Sequence, residues 1–159
     1  MRVVIQRVSQ ASVSVNSVIK SKIHHGLLLF LGVEVNDDLS DCEWLAKKVV
    51  QLRIFSDLSN KMNKSIIDID GDIIVVSQFT LHAKTKKGSR PSFIKAANPE
   101  KAELIYEKFI YCLEIELGKD VYSGIFGENS SFYIWHNIND LSVLNKVNLL
   151  VLPGGFAFG

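Results

Sequence analysis

Cysteine and proline are scarce in this chain, and no apolar run is long. The two cysteines, Cys42 and Cys112, lie far apart, and neither has a C-x-x-C neighbour or a cluster of histidines beside it. That spacing argues against a zinc site or a disulfide framework. No metal and no cofactor are expected. Three prolines in 159 residues exclude a proline-rich or collagen-like chain. No apolar stretch reaches the roughly 18 to 20 residues of a membrane span. The opening residues MRVVIQRVSQ lack the apolar core of a signal peptide. A chain without a membrane partner, working in a reducing cytoplasm, is therefore expected. A net charge of only +1 names no partner, because anion binding depends on where cations cluster. Present instead are 47% apolar and 22% charged residues, the composition of one folded domain. A chain of this length should bury roughly 70% of its unfolded surface.

Arg2 to Val15 is valine-rich and partly alternating, which predicts a strand. Asn16-Ser17 can turn it, Val18 to Ile23 can return, and His24-His25-Gly26 can turn again. The apolar run Leu27 to Val33 predicts a central strand buried on both faces. Ser40 and Glu43 have capping-box spacing, so a helix should begin there with an apolar stripe of Leu45, Val49 and Leu52. Ser56 to Asn60 is turn-rich, and Asp70-Gly71 signals a hairpin ahead of a strand from Asp72 to Phe79. A second helix has Asn98 as its cap, Pro99 in its first position and Glu100 at its positive end. Gly118 can close it, after an apolar face of Leu104, Ile105, Phe109, Cys112 and Leu113. The expected fold is α+β: one domain with an antiparallel or mixed, barrel-like sheet and two main helices.

Residues 75 to 93, VVSQFTLHAKTKKGSRPSF, change character midway from an apolar strand to a cationic loop. Ser77, Gln78 and Thr80 offer hydroxyl and amide groups that, with backbone N–H donors, can hold an ester carbonyl and its oxyanion. They can equally be strand-end residues that satisfy one another. Lys84, Lys86, Lys87, Arg90 and Lys95 follow with no acid among them. They are either a phosphate site or a solvated loop. Gly88 permits close backbone approach, while Pro91 and Phe93 can stiffen the loop or offer a stacking surface. Arg7 can pair with an acid or meet phosphate. His24-His25 reads as a turn, and His136 has no evident ligand partner. An ester pocket beside a phosphate loop suits aminoacyl-tRNA.

The sequence resembles the D-aminoacyl-tRNA deacylase family over about residues 1 to 127. The resemblance is carried by Gln6-Arg7-Val8, by LLLFLGV at Leu27 to Val33, by LRIF at Leu52 to Phe55, and by Lys61-Met62-Asn63 with Ser65. Its most specific element is Ser77-Gln78-Phe79-Thr80-Leu81, the S-Q-F-T-L signature, followed by KKGSRPSF from Lys86 to Phe93. Pro99, Ala102, Tyr106 and Phe109 match the next helix, and Gly124 to Gly127 reads GIFG. The resemblance implies a metal-independent homodimeric hydrolase that frees tRNA from D-amino acids and from misattached glycine. Its pocket would lie at the dimer interface, with Ser77, Gln78, Phe79 and Thr80 around the ester. It further implies a reaction that leans on the terminal ribose hydroxyl, which leaves Thr80 a secondary candidate nucleophile without a visible base. Arg7, Lys86, Lys87, Gly88, Arg90, Pro91 and Phe93 become candidate tRNA contacts. No DNA partner is implied.

Residues 128 to 159 depart from that family. Ile138-Asn139 stands by position where the family carries a Gly-cisPro pair that excludes L-amino acids. A non-proline cis peptide costs about 2.5 to 4 kcal/mol, so this filter is hard to retain. Phe132 to Gly159, with Leu152-Pro153-Gly154-Gly155-Phe156, resembles part of the glutaminase of formylglycinamide ribonucleotide amidotransferase. Cys42 and Cys112 both lie upstream, so no glutaminase triad is expected. Val147 to Leu152 is a candidate strand that can add to a sheet or expose an aggregation-prone edge. Two rival functions follow: a catalytically impaired tRNA-binding protein, and a protein-interaction module with no RNA affinity.

Overall fold

The computed structural model describes residues 1–86, 88–128 and 130–135, the last of these by backbone alone. The expected long first strand is two. A bend at Ser9 separates β1 (Arg2–Val8) from β2 (Gln10–Val15), and the two enter different sheets. One uninterrupted strand would bury its apolar residues in a single layer, whereas the bend lets this valine-rich segment serve two. β3 (Val18–Ile23) returns along β2 through Asn16 and Ser17, both at positive φ, as a tight hairpin requires. β4 (Gly26–Gly32) is buried along its whole length, as its continuous apolar run predicts. It pairs antiparallel with β1 and parallel with β7 (Asp72–Ser77).

α1 (Leu39–Gln51) starts earlier than the Ser40–Glu43 spacing suggests. Asp38 is the N-cap, accepting from the Ser40 and Asp41 N–H groups, while Asp41 accepts from Asp38 N at 3.0 Å. The same i, i+3 logic operates two residues upstream, because aspartate caps as well as serine. The helix buries Cys42, Ala46, Val49 and Val50; Leu45 is half-buried and Leu52 is the C-cap. Its inner face is thus built partly from small residues, where α1 packs against the second helix and Cys42 Sγ lies 3.6 Å from the Ile105 carbonyl. Burial pushes the Cys42 thiol up to about 11, which leaves it a packing group.

β5 (Phe55–Ser56) and β6 (Met62–Lys64) form the short hairpin over the turn-rich stretch. Asp70 takes positive φ in a turn, but no hairpin follows: β7 leaves it parallel to β4. α2 (Pro99–Leu117) has the expected caps, with Asn98 Oδ1 accepting from Lys101 N at 2.9 Å and Gly118 closing it at φ 76°. Leu104, expected on its apolar face, is 61% exposed, since Ile105, Phe109, Cys112 and Leu113 centre the buried stripe about 125° away. β8 (Tyr122–Ser123) pairs parallel with β7, and β9 (Ser130–Trp135) pairs antiparallel with β2.

The described strands form sheets in the orders β1-β4-β7-β8 and β3-β2-β9, plus the β5-β6 hairpin. In place of the expected barrel-like closure these residues make separate sheets. Leu27, Leu29 and Leu31 of β4 face the helices with Ile73 and Val75, whereas Leu28 and Phe30 pack with Ile74, Val8, Ala11 and Val13 between the sheets. The period-2 alternation therefore feeds two cores from one strand. It also fixes β4 and β7 side by side, so that Leu31 and Ser77 end the sheet as register partners.

Candidate active site at the end of two parallel strands

Ser77 is the last residue of β7, and the chain is held at that edge by Gln78 N donating to the Leu31 carbonyl at 2.7 Å. Gln78 then caps a single 3-10 turn over Phe79–His82, so Ser77 to Leu81 is not a continuing strand. The turn opens at Phe79 and Thr80, whose N–H groups precede any carbonyl the turn itself can offer. Gln78 Nε2 donates to Thr80 Oγ1 at 2.6 Å. This clasp orients both polar side chains in one half-buried step. Gly32 makes room for it: a Cβ there would lie 3.0 Å from the Gln78 carbonyl oxygen and 3.0 Å from His82 Cδ2. Sequence reading missed Gly32, although a glycine ending an otherwise large apolar run was the available signal.

His82 is 1% exposed, and neither Nδ1 nor Nε2 has a hydrogen-bond partner among the described residues. It therefore forms no Thr80–His82 base pair, and among the described residues the turn presents no activated protein nucleophile. Tyr106 is similarly committed. Its hydroxyl donates to the Val75 carbonyl at 2.9 Å, and burial pushes its phenol up to about 12. It remains a donor at neutral pH.

Beside the turn lies a cavity of about 330 Å³. Ser77, Gln78 and Phe79 form its polar edge, and Leu31, Val33, Ala96, Ala97, Pro99, Ala102, Tyr106, Phe126 and Gly127 line the rest. Phe126 packs on Tyr106 with ring centroids 5.5 Å apart. Ala96 and Ala97 reach the cavity because Ala97 N donates to the Val33 carbonyl at 3.0 Å. The alanines, Phe126 and Gly127 carry no polar signal of their own, and only tertiary packing brings them to the S-Q-F-T-L turn.

The cationic loop is closed at its base by reciprocal backbone bonds between Lys84 and Ser92, of 2.8 and 3.0 Å. Lys86, Arg90 and Pro91 are exposed on it, as is Gly88, at φ 72°. Lys95 is not an open cation, since it pairs with Glu34 at 3.2 Å. Phe93 and Phe79 pack in an edge-to-face arrangement, with centroids 5.1 Å apart. Arg7 stands apart from this group: Nη1 donates to the Ile54 carbonyl at 2.8 Å, and its register partner is Leu27, four residues from Leu31. That separation is roughly 13 Å along the sheet. Lys87, His136, Ile138, Asn139 and the candidate strand Val147 to Leu152 lie outside the described residues. Among the described residues, no group of three or more histidine, cysteine or acidic side chains is arranged to hold a metal.

The family model described as D-Tyr-tRNA(Tyr) deacylase matches residues 4–137. The chain belongs to this deacylase family. A D-aminoacyl-tRNA deacylase of Flavobacterium psychrophilum is 58% identical over 127 residues, covering 80% of this chain and 85% of the relative. Another, of Azobacteroides pseudotrichonymphae, is 50% identical over 140 residues, covering 88% and 91%. A solved structure named c-Myc DNA Unwinding Element Binding Protein superposes with a TM-score of 0.80 at 34% identity, covering 86% of this chain and 93% of that one. A second, described as a probable eukaryotic D-amino acid tRNA deacylase, has a TM-score of 0.75 at 17% identity, covering 84% and 92%, and shares the fold. The α+β fold expected from the pattern of elements, and its deacylase likeness, are thus the ones observed.

Proposed function

We propose that this chain is an aminoacyl-tRNA editing hydrolase that cleaves the ester of D-aminoacyl-tRNA, and of misattached glycyl-tRNA, to free tRNA and amino acid. One observation carries the reading: in a deacylase-family chain, S-Q-F-T-L runs from the end of β7 into a 3-10 turn at the rim of a mostly apolar cavity. Ser77, Gln78, Phe79 and Thr80 surround the scissile ester. The start of the turn aims backbone N–H groups at the carbonyl oxygen, where negative charge grows as the ester is attacked. Thr80, held by Gln78, orients the substrate and does not attack it. The attacking oxygen comes from water or is organised by the terminal ribose hydroxyl, in keeping with the lack, among the described residues, of a base paired with Thr80. Lys86, Lys87 and Arg90 receive the tRNA phosphates, with Gly88, Pro91 and Phe93 shaping their loop. The working form is a homodimer with the pocket at the interface.

A second reading has one specific support. Ile138-Asn139 stands where the family has Gly-Pro, so a tRNA-binding protein without the chiral filter is the rival. Hydrolysis of matched D- and L-aminoacyl-tRNA by the purified chain, with dimer state measured in the same sample, separates them. Release from the D-substrate alone supports editing with selectivity intact. Release from both means that the pocket works and the filter is lost, and release from neither leaves the binding protein.

A further inference from the structure

Phe79 is the most exposed residue of the ester-facing turn, at 45%, and Gln78 provides no side-chain cap for it. A half-exposed ring on a single 3-10 turn has little of its own to fix it. Its aromatic neighbour is Phe93, at 5.1 Å and an interplanar angle of 72°, the edge-to-face arrangement favoured by the ring quadrupoles. Phe93 is in turn anchored on both sides. It directly follows Ser92, whose reciprocal bonds with Lys84 close the basic loop, and its carbonyl accepts from Ala96 N at 2.9 Å in the turn that delivers Ala96 and Ala97 to the cavity.

From this geometry we infer that Phe93 is a positioning residue: its ring holds Phe79 in place and joins the base of the cationic loop to the ester-facing turn. The inference deepens the editing reading and rests on it. It assigns the Phe93 ring to an internal contact, not to a tRNA base. Phosphate capture on Lys86 and Arg90 and the setting of Phe79 then share one rigid connection, the Lys84–Ser92 closure followed by Phe93.

The test is a double-mutant cycle on D-tyrosyl-tRNA hydrolysis with Phe79→Ala, Phe93→Ala and the pair, together with Phe93→Tyr. Phe93→Ala is expected to lower kcat roughly 2- to 12-fold, the range set by an edge-to-face pair, with KM for the tRNA nearly constant because the loop cations remain. Phe93→Tyr keeps the ring and should restore most of kcat. In the Phe79→Ala background Phe93→Ala should cost little more. Additive losses, or a rise in KM with kcat unchanged, would overturn the inference, the latter by making Phe93 a tRNA contact. If Phe93→Ala does not fold, Phe93→Leu takes its place in the same cycle. A wild-type chain without turnover would count against the editing reading. The positioning role is then read from 4-fluorophenylalanine at Phe79: its 19F resonance should move on Phe93→Ala, and an unmoved resonance would end the proposal.

Discussion

At the scale of single residues, the site depends on which polar atoms are already satisfied. Thr80 Oγ1 accepts from Gln78 Nε2 at 2.6 Å in a half-buried setting that water can enter. Thr80→Ala should therefore cost stability less than about 1 kcal/mol, while kcat/KM falls roughly tenfold with loss of the clasp proposed to orient the substrate. Urea denaturation and steady-state kinetics on the same preparation check both halves, and equal activity in a folded variant would remove Thr80 from the site. His82 is the opposite case: it is deeply buried, with both ring nitrogens unpartnered among the described residues. An orphaned buried polar group costs about 1 to 3 kcal/mol. His82→Leu should accordingly raise Tm by about 2 to 12 °C for a chain of this size, measured calorimetrically at pH 7. A lower Tm would mean that the imidazole is paired in solution.

Among the elements, α1 carries the clearest pH dependence. The Ser40 hydroxyl and the Ser40 and Asp41 N–H groups hold the Asp38 carboxyl below its ordinary value. The Ser65 N–H and hydroxyl do the same for Asp68, ahead of β7. A carboxylate whose folded-state pKa is depressed contributes stability that is complete above its unfolded value near pH 3.9 and is lost as pH falls through the folded value. The midpoint of denaturation should thus decline below about pH 4. Asp38→Asn, which keeps a capping oxygen but cannot titrate, should flatten part of that decline. An unchanged acid limb in Asp38→Asn would show that this cap does not report on folding.

For the whole molecule, a net charge of +1 hides a local asymmetry. Lys84, Lys86 and Arg90 project from one closed loop beside the cavity, while Lys95 is neutralised by Glu34. Phosphate contacts release counterions, so log affinity should fall linearly with log salt. Replacing Lys86, Lys87 and Arg90 with alanine should weaken tRNA binding and reduce the magnitude of that slope by roughly 2, taking about 0.7 per single-strand phosphate contact. Filter binding at several salt concentrations measures it. An unchanged isotherm in the triple variant would make the loop a solubilising surface.

Local chemistry was legible in the residues themselves. The buried run Leu27–Val33, the caps Asn98 and Gly118, and the S-Q-F-T-L signature each follow from periodicity, backbone preference or an ordered motif, which act within a few residues. Helix α1 was found with its start displaced, because two overlapping i, i+3 pairs compete and the sequence does not say which one closes. The break at Ser9, the parallel setting of β7 after a turn that reads as a hairpin, and the burial of Cys42 and Ala46 in place of Leu52 depend on which sheet or helix receives each segment. The same holds for the cavity. Ala96, Ala97, Phe126 and Gly127 reach S-Q-F-T-L because the Val33 carbonyl, just past β4, captures the residues before α2 and Tyr106 of α2 receives Phe126 after it. The sequence by itself determined the elements and the chemistry of the S-Q-F-T-L turn. Tertiary structure alone decided what that chemistry faces, since apolar burial is non-directional and contacts between residues distant in the chain exist only once the layers have packed.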